Sequence, residues 1–96
     1  SNHEGAMVDR LHQNDFNAVV INPGAFTHYS YAIADALKNI RQLKVEVHIS
    51  NIYQREEFRQ KSVTAAYTDA LLSGFGTAGY EMAVQYLVSF HKKTAE

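Results

Sequence analysis

The 96 residues include nine basic and ten acidic side chains and no cysteine, for a formal net charge of −1. This balance leaves no basic footprint for nucleic acid or a membrane surface, and the lack of thiols excludes disulfides and cysteine–metal sites. At 46% hydrophobic and 11% aromatic the composition is globular, and the length points to one domain with a modest core.

No apolar run reaches membrane-spanning length, and the start has no signal-peptide hydrophobic region, so a soluble cytoplasmic protein is the expectation. Ala6 to Gln13 reads as the end of a helix, with Met7 and Leu11 four residues apart. Ala18-Val19-Val20-Ile21 is a short apolar run stopped by Asn22-Pro23-Gly24, which fits a strand buried on both faces. Thr27 or Ser30 is placed to cap a second helix, whose apolar stripe is Tyr31, Ile33, Ala34, Leu37 and Ile40. Val45 to Ile49 predicts a second strand, Arg55 to Gln60 a short helix, and Ala70 to Leu72 a third strand ending in Gly74-Phe75-Gly76. The last helix is expected from Ala78 to His91, with Met82, Tyr86 and Phe90 marking one face and Ala83 and Leu87 widening it.

Strands alternating with helices predict an α/β chain built on a parallel sheet. In such folds ligands bind beyond the carboxyl ends of the strands. Glu46 and His48 stand two apart, so a strand points both to one face. A carboxylate beside an imidazole can fix its tautomer and favour its charged form, which prepares a general acid. A histidine and a glutamate on a solvated edge strand fit the spacing as well. His48-Ile49-Ser50-Asn51 leaves the strand with amides able to bind an anion, and Asn22 offers a donor and an acceptor at the other strand end. Asn22, Pro23 and Gly24 also fit a turn that serves only geometry. Arg55 and Arg59 share a helical face, which is equally a solvated one. Gly74 to Gly79 matches G-x-G-x-x-G, but only 17 residues follow, too few for the second strand of a dinucleotide fold, so the glycines read as a tight turn. The histidines form no metal-ligand spacing, and no metal is expected.

Several segments together resemble one family. They are Ser1-Asn2-His3-Glu4-Gly5, Ile21-Asn22-Pro23-Gly24-Ala25 with Thr27-His28, Glu46-Val47-His48-Ile49-Ser50-Asn51, Arg55-Glu56-Glu57-Phe58-Arg59, and Gly79-Tyr80. In order and spacing they are similar to type II 3-dehydroquinate dehydratase, a shikimate-pathway enzyme with a flavodoxin-like, doubly wound parallel sheet. The resemblance implies dehydration of 3-dehydroquinate to 3-dehydroshikimate by anti elimination through an enolate. It implies His48 as the general acid, Glu46 as the carboxylate that orients it, and Asn22 as the asparagine holding the reacting region. It further implies the Ile49 and Ser50 backbone as the substrate-carboxylate site, His28 and Arg59 on the ring hydroxyls, and Asp35 reaching a neighbouring subunit's site. Neither metal nor organic cofactor is implied, and the assembly would be a trimer-based dodecamer.

The chain departs from the family in one large respect. Roughly the first third of a family member has no counterpart, including the central first strand and the lid with the catalytic tyrosine and its activating arginine. Tyr29, Tyr31 and Tyr53 do not occupy that motif. The expectation is therefore a lyase component that supplies the acid but not the base, and that is nearly inactive by itself. The alternative is a shortened, noncatalytic relative acting as a binding or assembly module.

Overall fold

A computed structural model describes residues 3–54, 56, 57 and 61–95, with side chains described as far as Phe90. Three parallel strands, β1 (Ala18–Ile21), β2 (Leu43–His48) and β3 (Ala70–Ser73), form one sheet in the order β1-β2-β3. Helices α1 (Glu4–Gln13) and α2 (Tyr31–Lys38) pack on one another, and α3 (Ala78–Ala95) packs across all three strands.

Two apolar clusters place α1 and α2 on one face of the sheet and α3 on the other. Leu11, Ile33, Ala36, Leu37 and Ile40 pack with Ile21 and Val19 of β1. Ala83 and Leu87 of α3 pack with Val45 and Val47 of β2 and with Ala18, Val20 and Leu72. Alternation along each strand produces this split, because successive side chains leave opposite faces.

Local chemistry sets the element ends. Asn14 closes α1 in the left-handed conformation (φ 51°), which asparagine tolerates better than most residues. Its side-chain oxygen accepts from Gln42 Nε2 at 2.7 Å, tying the helix end to the approach to β2. Ser30 is the cap of α2: its hydroxyl oxygen accepts from the Ile33 amide (3.1 Å) and its proton goes to Glu4 of α1 (2.6 Å). Thr27, the other candidate cap, is used elsewhere. Asp69 fixes the start of the β2–β3 pairing, accepting from the Lys44 amide through its carboxylate and donating its own amide to the Lys44 carbonyl, both at 2.8 Å.

Some sequence expectations shift. The second strand starts at Leu43 and ends at His48, leaving Ile49 in the exit turn. Tyr31 is 70% exposed and does not belong to the α2 stripe, where Ala36 is buried instead. Ile40 is buried, but beyond the helix end. On α3 the expected marker residues are on the wrong side. Met82, Tyr86 and Phe90 are each about 40% exposed, and the sheet-facing residues are Ala83 and Leu87. The cause is closeness of approach, since a Cβ on Gly79 would stand 3.0 Å from Val47 Cγ1, so small residues must face the sheet here. The expected helix at Arg55 to Gln60 lies largely outside the described residues; Ile52–Gln54 just before it forms one 3₁₀ turn.

The glycine-rich segment is a strand-to-helix turn. Gly74 has φ 91° and lies against Asn51, a conformation and a clearance that other residues rarely satisfy.

Candidate active site

Glu46 and His48 lie on β2, the middle strand, and not on a solvated edge. Their side chains leave the face covered by α1 and α2, as does Ile21, the partner of Glu46 in the β1–β2 register. Val45 and Val47, between them in sequence, face α3. Glu46 is fully buried and His48 is 4% exposed.

A buried carboxylate needs partners. Glu46 has three close ones. His48 Nε2 lies 2.5 Å from Oε2, the Thr27 hydroxyl donates to Oε2 at 2.8 Å, and the Thr64 hydroxyl donates to Oε1 at 2.5 Å. Ser62 stands behind them, 2.5 Å from the Thr27 hydroxyl oxygen and 3.4 Å from Oε2. Burial pushes the Glu46 carboxyl upward, but the hydrogen bonds from His48, Thr64 and Thr27 together outweigh it and hold the group below its ordinary value of 4.5. The result is an ionised carboxylate in a dry setting, aimed at one nitrogen of an imidazole.

The elements deliver these groups from far apart in the chain. Thr27 lies in a 3₁₀ segment, Gly24–His28, that follows the turn after β1. The Val63 amide donates to the Thr27 carbonyl at 2.7 Å, which draws the segment holding Ser62 and Thr64 over the carboxylate. The sequence marks none of these three hydroxyls as a partner of Glu46, because each is 16 or more residues from it and lies outside any strand.

Asn22 directly follows β1, the strand beside β2, so both groups reach the region beyond the carboxyl end of the sheet. Its side chain is turned to the α3 side. The Asn22 amide donates to the Tyr80 hydroxyl at 2.8 Å, and its oxygen accepts from the Gly24 amide at 3.0 Å. Tyr80, 58 residues away, is thus the residue that orients Asn22. A groove of about 500 Å³ runs along the outer side of β1, lined by Met7, Arg10, Leu11, Val19, Asn22 and Tyr80 among others, and it does not include His48.

The other expected site residues are more scattered. His28 ends the 3₁₀ segment that carries Thr27; its Nδ1 is 2.7 Å from the Lys61 carbonyl, and its buried Nε2 has no hydrogen-bond partner among the described residues. Ile49 and Ser50 are exposed in the exit turn, held by the Gly76 amide on the Ile49 carbonyl (3.0 Å) and the Ser73 hydroxyl on the Ser50 carbonyl (3.1 Å). Asp35 is exposed on α2. Arg59 and Arg55 lie outside the described residues. Among the described residues no three His, Asp or Glu side chains converge as metal ligands, and no helix is long and apolar enough to cross a membrane.

Comparison with known proteins identifies the family. Residues 1–88 match the family model described as dehydroquinase class II. A protein of Thermotoga neapolitana named 3-dehydroquinate dehydratase is 63% identical over 87 residues, 91% of this chain and 60% of that protein. One of Bacillus mycoides with the same name is 56% identical over 86 residues, 88% of this chain and 59% of that protein. The crystal structure of type II dehydroquinase from Butyrivibrio crossotus superposes with a TM-score of 0.87 at 50% identity, covering 91% of this chain and 63% of that one. The chain therefore spans about 60% of the length of the curated relatives it matches. With the family model matching nearly its whole length and these identities over nine-tenths of it, the chain belongs to the class II dehydroquinase family.

Proposed function

We propose that this chain forms the acid-bearing, substrate-holding part of a 3-dehydroquinate dehydratase. The observation that supports this reading most is the buried Glu46–His48 pair at the exit of the central strand, with its carboxylate kept ionised. A dry, hydrogen-bonded carboxylate that orients an imidazole is how a protein prepares a general acid near neutral pH.

In the proposed reaction a base removes a proton from C2 of 3-dehydroquinate and leaves an enolate. His48 then gives its proton to the C1 hydroxyl, the C–O bond breaks, water departs and 3-dehydroshikimate remains. Glu46 stabilises the imidazolium before transfer and holds the ring afterwards. Asn22 and the Ile49–Ser50 backbone hold the reacting region and the substrate carboxylate, while His28 and Arg59 take the ring hydroxyls. The unpartnered Nε2 of His28 supports its part in this assignment. Asp35, exposed on α2, is proposed to act toward a neighbouring subunit in a homo-oligomer, a trimer-based dodecamer in the cytoplasm.

The base belongs to the part of the relatives' length that this chain does not span. The edge of β1, unpaired among the described residues, is with its groove the surface against which that part would dock. The open edge also favours a second reading, a noncatalytic assembly module that keeps the pocket and its docking surface.

The test is the appearance of the conjugated enone of 3-dehydroshikimate. The isolated chain is expected to be nearly inactive, and addition of the N-terminal third of a Thermotoga relative, joined or as a separate piece, is expected to bring turnover. No turnover from a folded, joined protein favours the assembly reading. Family-like turnover by the isolated chain, with its mass confirmed as 96 residues, contradicts the assignment of the base.

A further inference from the structure

The hydroxyls around Glu46 can be assigned proton by proton, and the assignment has a consequence for His48. An ionised carboxylate only accepts, so each of its close partners must donate. Thr27 has one hydroxyl proton, and it goes to Oε2; Thr64 has one, and it goes to Oε1. Ser62 accepts from the Ala65 amide at 2.9 Å; with the Thr27 proton on Oε2, its own proton goes to the Thr27 oxygen at 2.5 Å in preference to Oε2 at 3.4 Å. The 2.8 Å contact between Thr27 and Thr64 then has no proton of its own. All three side-chain protons are used, with the carboxylate left one further partner, His48 Nε2. A bare nitrogen lone pair at that distance would face the negative oxygen, so Nε2 must carry a proton.

We infer that Thr64, together with Thr27, is a positioning residue that clamps Glu46 onto the Nε2–H of His48, so that neutral His48 is the Nε2–H tautomer and Nδ1 is the nitrogen that delivers the acid proton. The inference rests on the reading of His48 as proton donor, and it adds which nitrogen acts and what fixes it. Thr64 is the sharper of the two threonines because it is the donor on Oε1, whereas Thr27 shares Oε2 with His48. Without it, a buried Glu46 loses one of the bonds that favour its charge and takes up a proton more readily. A protonated Glu46 donates to Nε2 and forces the neutral ring into the Nδ1–H form. The tautomer of His48 therefore reports on Thr64.

The experiment uses the 96-residue chain itself, labelled with ¹⁵N in histidine, with no substrate. The ring nitrogen shifts of His48, assigned by comparison with His48→Ala, are read at a pH where the ring is neutral. The unmodified chain should show the Nε2–H tautomer alone. Thr64→Val should bring in the Nδ1–H form, and Thr64→Ser, which keeps the hydroxyl, should return it to Nε2–H alone. An Nδ1–H ring in the unmodified chain overturns the inference, and so does a Thr64→Val chain that stays wholly Nε2–H. If Thr64→Val does not fold, Thr64→Ala repeats the comparison without the added methyl. An intact tautomer pattern in a joined protein that never turns over would defeat the dehydratase reading, and with it the delivery of a proton from Nδ1, while the Nε2–H tautomer and its dependence on Thr64 would stand.

Discussion

The six residues of β2 alternate between two faces that serve different ends. Toward α3 the strand presents Val45 and Val47, which meet Ala83 and Leu87 in a close apolar contact. Toward α1 and α2 it presents Lys44, Glu46 and His48, all buried and all polar. Lys44 ends on the Ile40 and Gln42 carbonyls (2.7 and 3.1 Å), closing the link between α2 and β2. Glu46 is satisfied by His48 Nε2 and by hydroxyls. Burying a carboxylate is costly compared with an apolar residue of similar size, so the polar face does not follow from stability alone. One face holds the chain together, and the other holds the imidazole that is proposed to donate the proton.

Adjacent substitutions should separate these roles. In the joined protein, His48→Ala should lower kcat by about 10²–10⁴-fold, the range of general acid–base assistance. Val47→Ala, one residue away, should leave kcat nearly unchanged well below its Tm and lower stability by about 2 kcal/mol, from lost burial and the space left behind. Enone formation and thermal melts on both variants check the pair. A Val47→Ala variant that folds and loses as much kcat as His48→Ala would erase the distinction.

The acid limb of stability should come from the polar face. Glu46 is held below its ordinary value in the fold, so its stabilising effect is fully present above the unfolded value of 4.5 and is lost as pH falls from there through the folded value. Asp15, lowered chiefly by its hydrogen bond to Arg10, slopes the same way, so the informative quantity is a difference between variants. Denaturant melts of the chain from about pH 6 down to about pH 3 should show a shallower loss in Glu46→Gln than in the unmodified protein. Equal slopes would mean that the carboxylate is not ionised in the fold.

The smallest effect is expected where neither face is involved. Ser30→Ala removes the cap of α2 and the tie to Glu4, and should cost about 1 kcal/mol in the same melts without altering the histidine tautomer. A larger loss would show that α1 depends on this contact for its place on the sheet.

The strands were legible because Ala18 to Ile21 and Leu43 to Val47 carry apolar residues at strand spacing, and turn residues mark their exits. The parallel order of β1 and β2 follows from the helix interposed between them; between β2 and β3 the described residues form only 3₁₀ turns. The orientation of α3 was not legible, because Met82-Tyr86-Phe90 and Gly79-Ala83-Leu87 share the same spacing and only the close approach to Val47 selects the smaller set. At the site, the Glu46–His48 pair showed itself through the two-residue period of a strand. Its support did not. Thr27, Ser62 and Thr64 are separate polar residues in sequence, and Tyr80 meets Asn22 only through the turn that starts α3. Long-range hydrogen bonds from loop hydroxyls have no periodic signature.

The central claim is that Glu46 and His48 act as one unit, and a double-mutant cycle on kcat in the joined protein tests it most directly. If Glu46 works only through His48, then Glu46→Gln lowers kcat alone but adds almost nothing once His48 is alanine. The account predicts that Glu46→Gln/His48→Ala turns over at the rate of His48→Ala. Two losses that multiply in the double variant would mean the residues act separately, and the account of the polar face would be wrong.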